Sequence, residues 1–303
     1  MKFGAFVVTY NRPTILQESI KCFLEQTRPP DIILIVDNGD PEGTKSVLKG
    51  FPQAKVIHEL TGSNLGSAGG FAYGVKWLYE HGYDWIYCGD DDNPPITSDT
   101  LERLLKLGSI SDDVAAVGAV GALWDWKKGE ARRLSDEMLK DILYVDFIGQ
   151  GHSFTLNRKV VESVGLPNGK LFFGYPDLEY CLRIRRAGYR LLVDGKLMHE
   201  HRARAGRLNL ELKQSLLPSR TYDSIWRNYY TTRSYIFMMT QIFKRSDLAR
   251  RETLKAMGRI LMSWKRGPKY GAAFTGYQLR GVVDGYLGRM GRTVLPKPKK
   301  ATT

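Results

Sequence analysis

Between Phe3 and Gly89 four short apolar runs alternate with amphipathic stretches: Phe3–Val8, Asp31–Val36, Ala54–Ile57 and Tyr83–Gly89. The second, Ile32-Ile33-Leu34-Ile35-Val36, has no polar alternation, which is the pattern of a strand buried on both faces. Pro13-Thr14 opens a helix carrying Ile15, Ile20, Phe23 and Leu24, and Pro29-Pro30 ends it. Further helices are expected over 43–49 and 69–81. This β-α-β-α-β-α-β order predicts an α/β fold with a mostly parallel, Rossmann-like central sheet and helices on both faces. Ligands of such sheets bind beyond the carboxyl ends of the strands. Thr9-Tyr10-Asn11, Asp37-Asn38, Asn64 to Gly70 and Asp90 to Asp92 each follow a strand, so all four clusters should gather at one rim.

From Val114 to His201 the pattern is mixed. Strands are expected over 114–120, 144–148, 153–156 and 191–193, and a helix over 177–188, where Arg185-Arg186-Ala187-Gly188 suits a C-terminus. Beyond Ser215 the chain reads as helical and basic, and Pro296-Lys297-Pro298-Lys299-Lys300 as a disordered tail, set from about residue 293.

Asp90-Asp91-Asp92 carries the chemistry. Like charges side by side near a buried strand end are costly without a counter-cation. A hard divalent ion, Mn²⁺ or Mg²⁺, completed by substrate phosphates meets that need. Alternate residues of an extended segment point the same way, so Asp90 and Asp92 are assigned to the ion and Asp91 to a sugar hydroxyl or a structural bond. The loop Asn64-Leu65-Gly66-Ser67-Ala68-Gly69-Gly70 runs into a helix. It reads as a diphosphate cradle, where backbone amides approach an anion at a helix N-terminus, or as packing glycines. Asp177 follows Phe172-Phe173-Gly174-Tyr175-Pro176 and serves either as a helix N-cap or as a general base. Glu179 is spaced to pair with Arg183, a structural role. His199 and His201, taken as alternate positions at a strand end, are metal-ligand candidates.

Composition narrows the rest. Hydrophobic content of 43% and charged content of 25% suit a globular chain. Cys22, Cys88 and Cys181 form neither a disulfide framework nor a zinc-spaced cluster, and with no signal-like or membrane-spanning run the expectation is a reducing, cytosolic setting. The net charge of +13 is concentrated: from Phe243 onward there are fifteen Lys or Arg against three acids. Leu254, Met257, Leu261 and Trp264 recur at helical spacing among Arg250, Arg251, Lys255, Arg259, Lys265 and Arg266. That describes an amphipathic helix for an anionic membrane surface, or one packed on the catalytic part with a charged exterior.

Val8-Thr9-Tyr10-Asn11-Arg12, Val36-Asp37-Asn38-Gly39, Asn64-Leu65-Gly66 with Ala68-Gly69-Gly70-Phe71, Asp90-Asp91-Asp92, Asp177 with Tyr180-x-Leu182-Arg183, and His199 occur in order at suitable spacings. In this the chain resembles the inverting family 2 glycosyltransferases of GT-A fold. It is most similar to the bacterial galactofuranosyl- and rhamnosyltransferases of cell-surface glycan synthesis. The resemblance runs from Lys2 to Ser234. It implies a catalytic domain over 1–215, with a nucleotide-sugar half (1–113) and an acceptor half (114–215), and a helical basic extension over 216–303. It further implies that Thr9, Tyr10, Asn11, Asp37 and Asn38 hold the nucleoside. Asn64, Gly69 and Gly70 would line the diphosphate, with Asp90 and Asp91 on the donor. Asp90, Asp92 and His199 (His201 as alternate) would bind Mn²⁺ or Mg²⁺, and Asp177 would deprotonate the acceptor hydroxyl. Pro176 stands where an acidic residue is common, so only Asp177 inherits that role. The implied partners are a nucleotide sugar, UDP-galactofuranose or dTDP-rhamnose, and a glycan or polyprenyl-diphosphate-linked acceptor. The implied location is peripheral, on the inner face of the cell membrane, and a homo-oligomer is compatible with the sequence. Inversion is expected because no second carboxylate qualifies as a covalent nucleophile. A nucleic-acid-binding protein is disfavoured by the aspartate-rich rim. A nucleotidyltransferase is disfavoured because Thr9–Arg12 is no basic, glycine-rich triphosphate loop.

Overall fold

The computed structural model describes residues 1–210, 218 and 220–294. The chain divides into two compact units, Met1–Gly169 with Pro176–Leu210, and Lys170–Tyr175 with Glu211–Thr303. The boundary expected at 215–216 lies outside the described residues.

The first unit begins with β1 (Phe3–Thr9), α1 (Pro13–Leu24), β2 (Ile32–Asp37), α2 (Pro41–Leu48), β3 (Val56–Leu60), α3 (Gly66–Glu80), β4 (Trp85–Asp90) and α4 (Thr100–Gly108). It continues through β5 (Val114–Gly118), β6 (Gly121–Asp125), β7 (Glu130–Arg132), β8 (Ile142–Val145), β9 (Phe147–Ile148), β10 (Phe154–Asn157), α5 (Lys159–Val164), α6 (Pro176–Arg186), β11 (Arg190–Asp194) and α7 (Gly195–Arg204). Eight strands form one sheet in the order β3-β2-β1-β4-β10-β5-β11-β8. β1, β2, β3 and β4 pair in parallel, as do β5 and β11, while β10 and β8 run antiparallel to their neighbours. The sheet is therefore mostly parallel, and strands from residues 1–113 and 114–210 share it. A small sheet, β7-β6-β9, stands apart; β6 and β7 were not expected from the sequence.

Strand alternation divides the core by face. Phe6, Val8, Leu34 and Val36 pack with Phe71, Val75 and Leu78 of α3 and with Tyr180 and Ile184 of α6. Ala5, Val7, Ile33 and Ile35 pack with Leu16, Ile20 and Phe23 of α1 and with Leu101, Leu104 and Leu105 of α4. Helices thus cover both faces, and the continuous apolar run of β2 is explained. No helix among the described residues is long and apolar enough to cross a membrane, and all three cysteines are free.

Two local expectations are corrected. The glycine loop is shorter than expected, because Gly66–Gly70 already belong to α3. A side chain at Gly70 or Gly74 would collide with Val8 or Phe6 of β1, so these glycines let helix and strand approach closely, outweighing their poor helix propensity. Met198–His201 does not close a strand. Asp194 caps α7, its Oδ1 accepting from Leu197 N at 3.0 Å, so both histidines ride on a helix.

In the second unit α8 (Trp226–Phe237), a π turn (Met238–Ile242), α9 (Ser246–Ser263) and α10 (Pro268–Leu287) follow one another. Their centre is Arg233, fully buried. Its guanidinium donates to the carbonyls of Leu171 (2.6 Å) and Gly291 (2.8 Å) and to Thr293 Oγ1 (3.2 Å), and lies over the rings of Tyr229 and Tyr230. Phe172 and Tyr175 adopt positive φ, 60° and 63°, a conformation bulky residues take only when their surroundings impose it. Phe172 packs on Tyr230, and Ser234 Oγ donates to Phe173 O at 3.0 Å. Thr293 and Val294 are tied to Tyr229 and Tyr230; the rest of the tail expected from about 293, residues 295–303, lies outside the described residues. Of the expected apolar stripe, Met257 packs inward with Ile260 and Phe274. Leu254 and Leu261 stand 73% and 74% exposed.

Candidate active site

β1, β2 and β4 end side by side, with Thr9 opposite Asp37 and Val8 opposite Asp90 in register. Asp90 is the last strand residue and Asp91-Asp92 already turn away. Asp91 is 1% exposed. It accepts from Thr9 Oγ1 at 2.7 Å, from Arg12 Nε at 3.1 Å and from Arg12 Nη2. Arg12 also donates to Asp92 Oδ2 at 2.7 Å. Asp91 is thus the structural member of the triad, as one of its two alternatives had it, and Thr9 lies beneath the rim supporting it. Asp92 is exposed, with Asn93 Nδ2 on its second oxygen at 2.7 Å.

Asp90 is the strained member. Burial, then the charges of Asp92, Asp91 and Asp177, push its carboxyl up to about 7, against the pull of Arg12. The only hydrogen bond to its side chain shown among the described residues is a long one, from Gln150 Nε2 at 3.3 Å. Gln150 also donates its backbone N–H to Asp177 Oδ2 at 3.0 Å and is 4% exposed. The sequence reading missed it. It sits in the turn Gly149-Gln150-Gly151-His152, closed by His152 N donating to Gly149 O at 2.9 Å. A Cβ on Gly149 would lie 2.9 Å from His152 Cδ2 and 3.7 Å from Asp177 Oδ2, so the missing side chain gives ring and carboxylate a common space.

Asp177 is the second residue of α6 behind Pro176, which takes the first helical position where its missing N–H costs nothing. The N-cap alternative is therefore not the one observed. Its Oδ1 accepts from Leu178 N at 2.9 Å. Burial raises its pKa, opposed by the N–H groups of Gln150 and Leu178. Glu179 pairs with Arg183 at 2.6 Å, the structural role its spacing indicated.

The histidines separate because residues two apart on a helix point to different sides. His199 is exposed. His201 faces His152, ring centres 5.1 Å apart. Burial, then His201 and Arg207, lowers His152 to about 4, which keeps it neutral. Neither histidine is brought into a metal-competent cluster: among the described residues no three His, Cys, Asp or Glu side chains form one. The crowded carboxylates nonetheless fit a hard cation, since Arg12 is their only cationic partner among the described residues and is taken up by Asp91 and Asp92. A cation held by one or two carboxylates would draw its remaining ligands from phosphate and water.

The other rim residues are ordered. Asn11, at φ 54°, accepts from Asp40 N at 2.7 Å and links two loops; Tyr10 stands exposed. Asp37 is buried; although burial opposes ionisation, bonds from His58, Gly39 and Thr44 hold it below the usual carboxylate range. Asn38 donates to Gly66 O at 3.1 Å and accepts from Thr61 Oγ1 at 2.9 Å. Asn64 Oδ1 accepts from Gly66 N at 2.8 Å. Gly69 and Gly70 are buried in α3, Gly69 against Leu65.

Against known proteins, the model for glycosyl transferase family 2 matches residues 5–165, more than half of the chain. The chain belongs to this family. This family 2 chain is 31% identical over 202 residues to "Galactofuranosyltransferase GlfT1" of Mycolicibacterium smegmatis, covering 61% of the chain and 65% of the relative. It is 28% identical over 214 residues to the protein of the same name from Mycobacterium tuberculosis, covering 64% and 69%. The match thus spans just under two thirds of the first relative's length. Among solved structures, the mannosyltransferase PcManGT from Pyrobaculum calidifontis, in complex with GDP-Man and Mn²⁺, superposes with a TM-score of 0.57 at 15% identity, covering 94% of this chain and 87% of that one. GalNAc-T7 with UDP, GalNAc and Mn²⁺ gives 0.60 at 13% identity, covering 94% and 57%. At these identities the likeness is one of fold, and the GT-A expectation is met.

Proposed function

We propose that this chain is an inverting, metal-dependent glycosyltransferase that moves a sugar from a nucleotide sugar to a glycan or lipid-linked acceptor. The observation that carries the reading is the convergence of Asp90 and Asp177 on Gln150, with the charge of Asp92 felt at Asp90, at the carboxyl end of a parallel sheet. UDP-galactofuranose is the favoured donor because the relatives carry the name galactofuranosyltransferase; dTDP-rhamnose is the second candidate. Asp37 and Asn38 with Thr9, Tyr10 and Asn11 form the nucleoside side, and the start of α3, at Asn64, Gly69 and Gly70, receives the diphosphate. Asp90 and Asp92 would hold Mn²⁺ or Mg²⁺, the remaining ligands coming from donor phosphates and water. When bound, the ion would stabilise charge on the departing nucleoside diphosphate.

Asp177 does the proton chemistry. Two backbone N–H groups fix its plane, and its raised pKa suits a carboxylate that must accept a proton from a hydroxyl. The freed alkoxide attacks the anomeric carbon opposite the leaving group, which inverts the centre. The exposed Leu254 and Leu261 of α9, Trp264 just after it, and Leu279, Val283 and Leu287 of α10, among many basic residues, suit an anionic membrane carrying a polyprenyl-linked acceptor. A sugar-nucleotide panel with Mn²⁺, followed by nucleoside diphosphate release, tests the reading. Chelator-sensitive release of UDP from UDP-galactofuranose supports it; silence across the panel, with no nucleoside diphosphate bound, removes it.

A further inference from the structure

We infer that Gln150 is the positioning residue that joins the donor side of the site to the acceptor side. The inference rests on the proposed glycosyl transfer and adds to it a residue with no acid, base or metal chemistry of its own. Asp90 ends β4 and Asp177 lies in the first turn of α6, 87 positions further along the chain. Gln150 reaches both: its side-chain amide donates to Asp90 Oδ1 at 3.3 Å and its backbone N–H to Asp177 Oδ2 at 3.0 Å. Two carboxylates that repel each other are thereby held apart by one residue that donates to each.

The surrounding turn is built to hold that residue still. Gln150 is 4% exposed. On one side Gly149 leaves room for His152 and Asp177; on the other, a Cβ on Gly151 would press on Asn93 at 3.1 Å. Gly118 lies beneath, where a side chain would strike Ile148. His152 N and O are both taken, by Gly149 O and by Ala119 N. A turn pinned at this many points fixes the two donors of Gln150 in space, so the separation of Asp90 from Asp177 is set before substrate arrives.

The side-chain donor can be removed by itself, and the turn that presents the backbone donor can be perturbed separately. Gln150→Met keeps the volume and the N–H to Asp177 but loses the bond to Asp90. Gly149→Ala leaves the Asp90 bond and presses on the His152 ring, 2.9 Å from the added Cβ, which shifts the turn that presents the backbone N–H to Asp177. Calorimetric binding of UDP with Mn²⁺ and steady-state turnover are read for both variants, with melting temperature as the check on folding. Gln150→Met should weaken UDP binding about tenfold, the worth of a hydrogen bond to a charged group, and Gly149→Ala should lower kcat while leaving UDP affinity unchanged. Combined with Asp90→Asn, Gln150→Met should add little further loss of UDP binding, since both remove one interaction.

Wild-type UDP affinity in a folded Gln150→Met variant, or full additivity with Asp90→Asn, overturns the inference and leaves the transferase reading intact. Loss of UDP binding in Gly149→Ala together with a fall in its melting temperature assigns the turn a structural role only, and also overturns it. Failure of the wild type to bind UDP or TDP at all removes the transferase reading and the inference with it.

Discussion

Asp90 in the first unit and Asp284 in the second are both crowded acids, and their neighbours are opposite. Asp284, 4% exposed, accepts from Tyr229 Oη at 2.7 Å and is flanked by Arg280 and Arg289 at 3.4 and 3.5 Å. Asp90 has three carboxylates around it and one long bond from a neutral amide. The second arrangement is charge-balanced and holds helices together; the first brings like charges together beside a single long neutral donor. Imbalance retained inside an otherwise satisfied fold marks the place where chemistry is expected.

The contrast fails if the acids at the first site prove interchangeable with neutral residues. Asp177→Asn should lower turnover by about a thousandfold, the middle to upper range for a lost general base, with UDP binding close to wild type; near-normal turnover excludes Asp177 as base. Asp92→Ala should abolish the metal-dependent part of UDP binding, and a titration unmoved by the substitution or by chelator excludes the cation. The second unit should respond in stability instead. Arg233→Met removes three hydrogen bonds from a buried cation and should cost about 3 kcal/mol in denaturant unfolding, with UDP affinity preserved; a loss of nucleotide binding would break the separation drawn here.

The smallest effect concerns pH. His152 is held near 4 in the fold and near 6.5 unfolded. The unfolded chain therefore binds more protons between those values, and stability falls as pH drops from about 6.5 to 4. Asp90 acts with the opposite sign between about 4 and 7, because its raised carboxyl keeps a proton the unfolded chain has lost. The difference in melting temperature between wild type and His152→Leu, followed over pH 4 to 7, isolates the first contribution. A constant difference shows that His152 does not titrate as its burial implies.

The parallel core was legible because burial on both faces writes an unbroken apolar run, as in β2, and because turn residues punctuate each unit. The rim clusters followed from the rule that such sheets bind at the carboxyl ends of their strands. The histidines were misplaced because His199 and His201 were read with strand period. Asp194 before Gly195, a capping acid ahead of a helical run, was the available signal. Gln150 carried no such signal: a glutamine between glycines acquires meaning only when Asp90 and Asp177 are brought to either side of it. The division of the aspartates was not carried by strand alternation, since Asp91 and Asp92 lie in the turn after β4, and the fixation of Asp91 by Thr9 and Arg12 is a tertiary fact.

The antiparallel β10 has a consequence for how the chain reaches this fold. β1 to β4 can pair as soon as they are made, yet the outer edge of β4 stays open until β10 arrives; Tyr87 meets Ser153 across 66 residues. During synthesis a strand of Trp85, Ile86, Tyr87 and Cys88 therefore presents unpaired N–H and C=O groups to the cell. Closing it needs long-range contacts, which form slowly. The newborn chain is most exposed to self-association while residues 91–153 are being added, so its yield on expression should depend on translation rate and on holding chaperones.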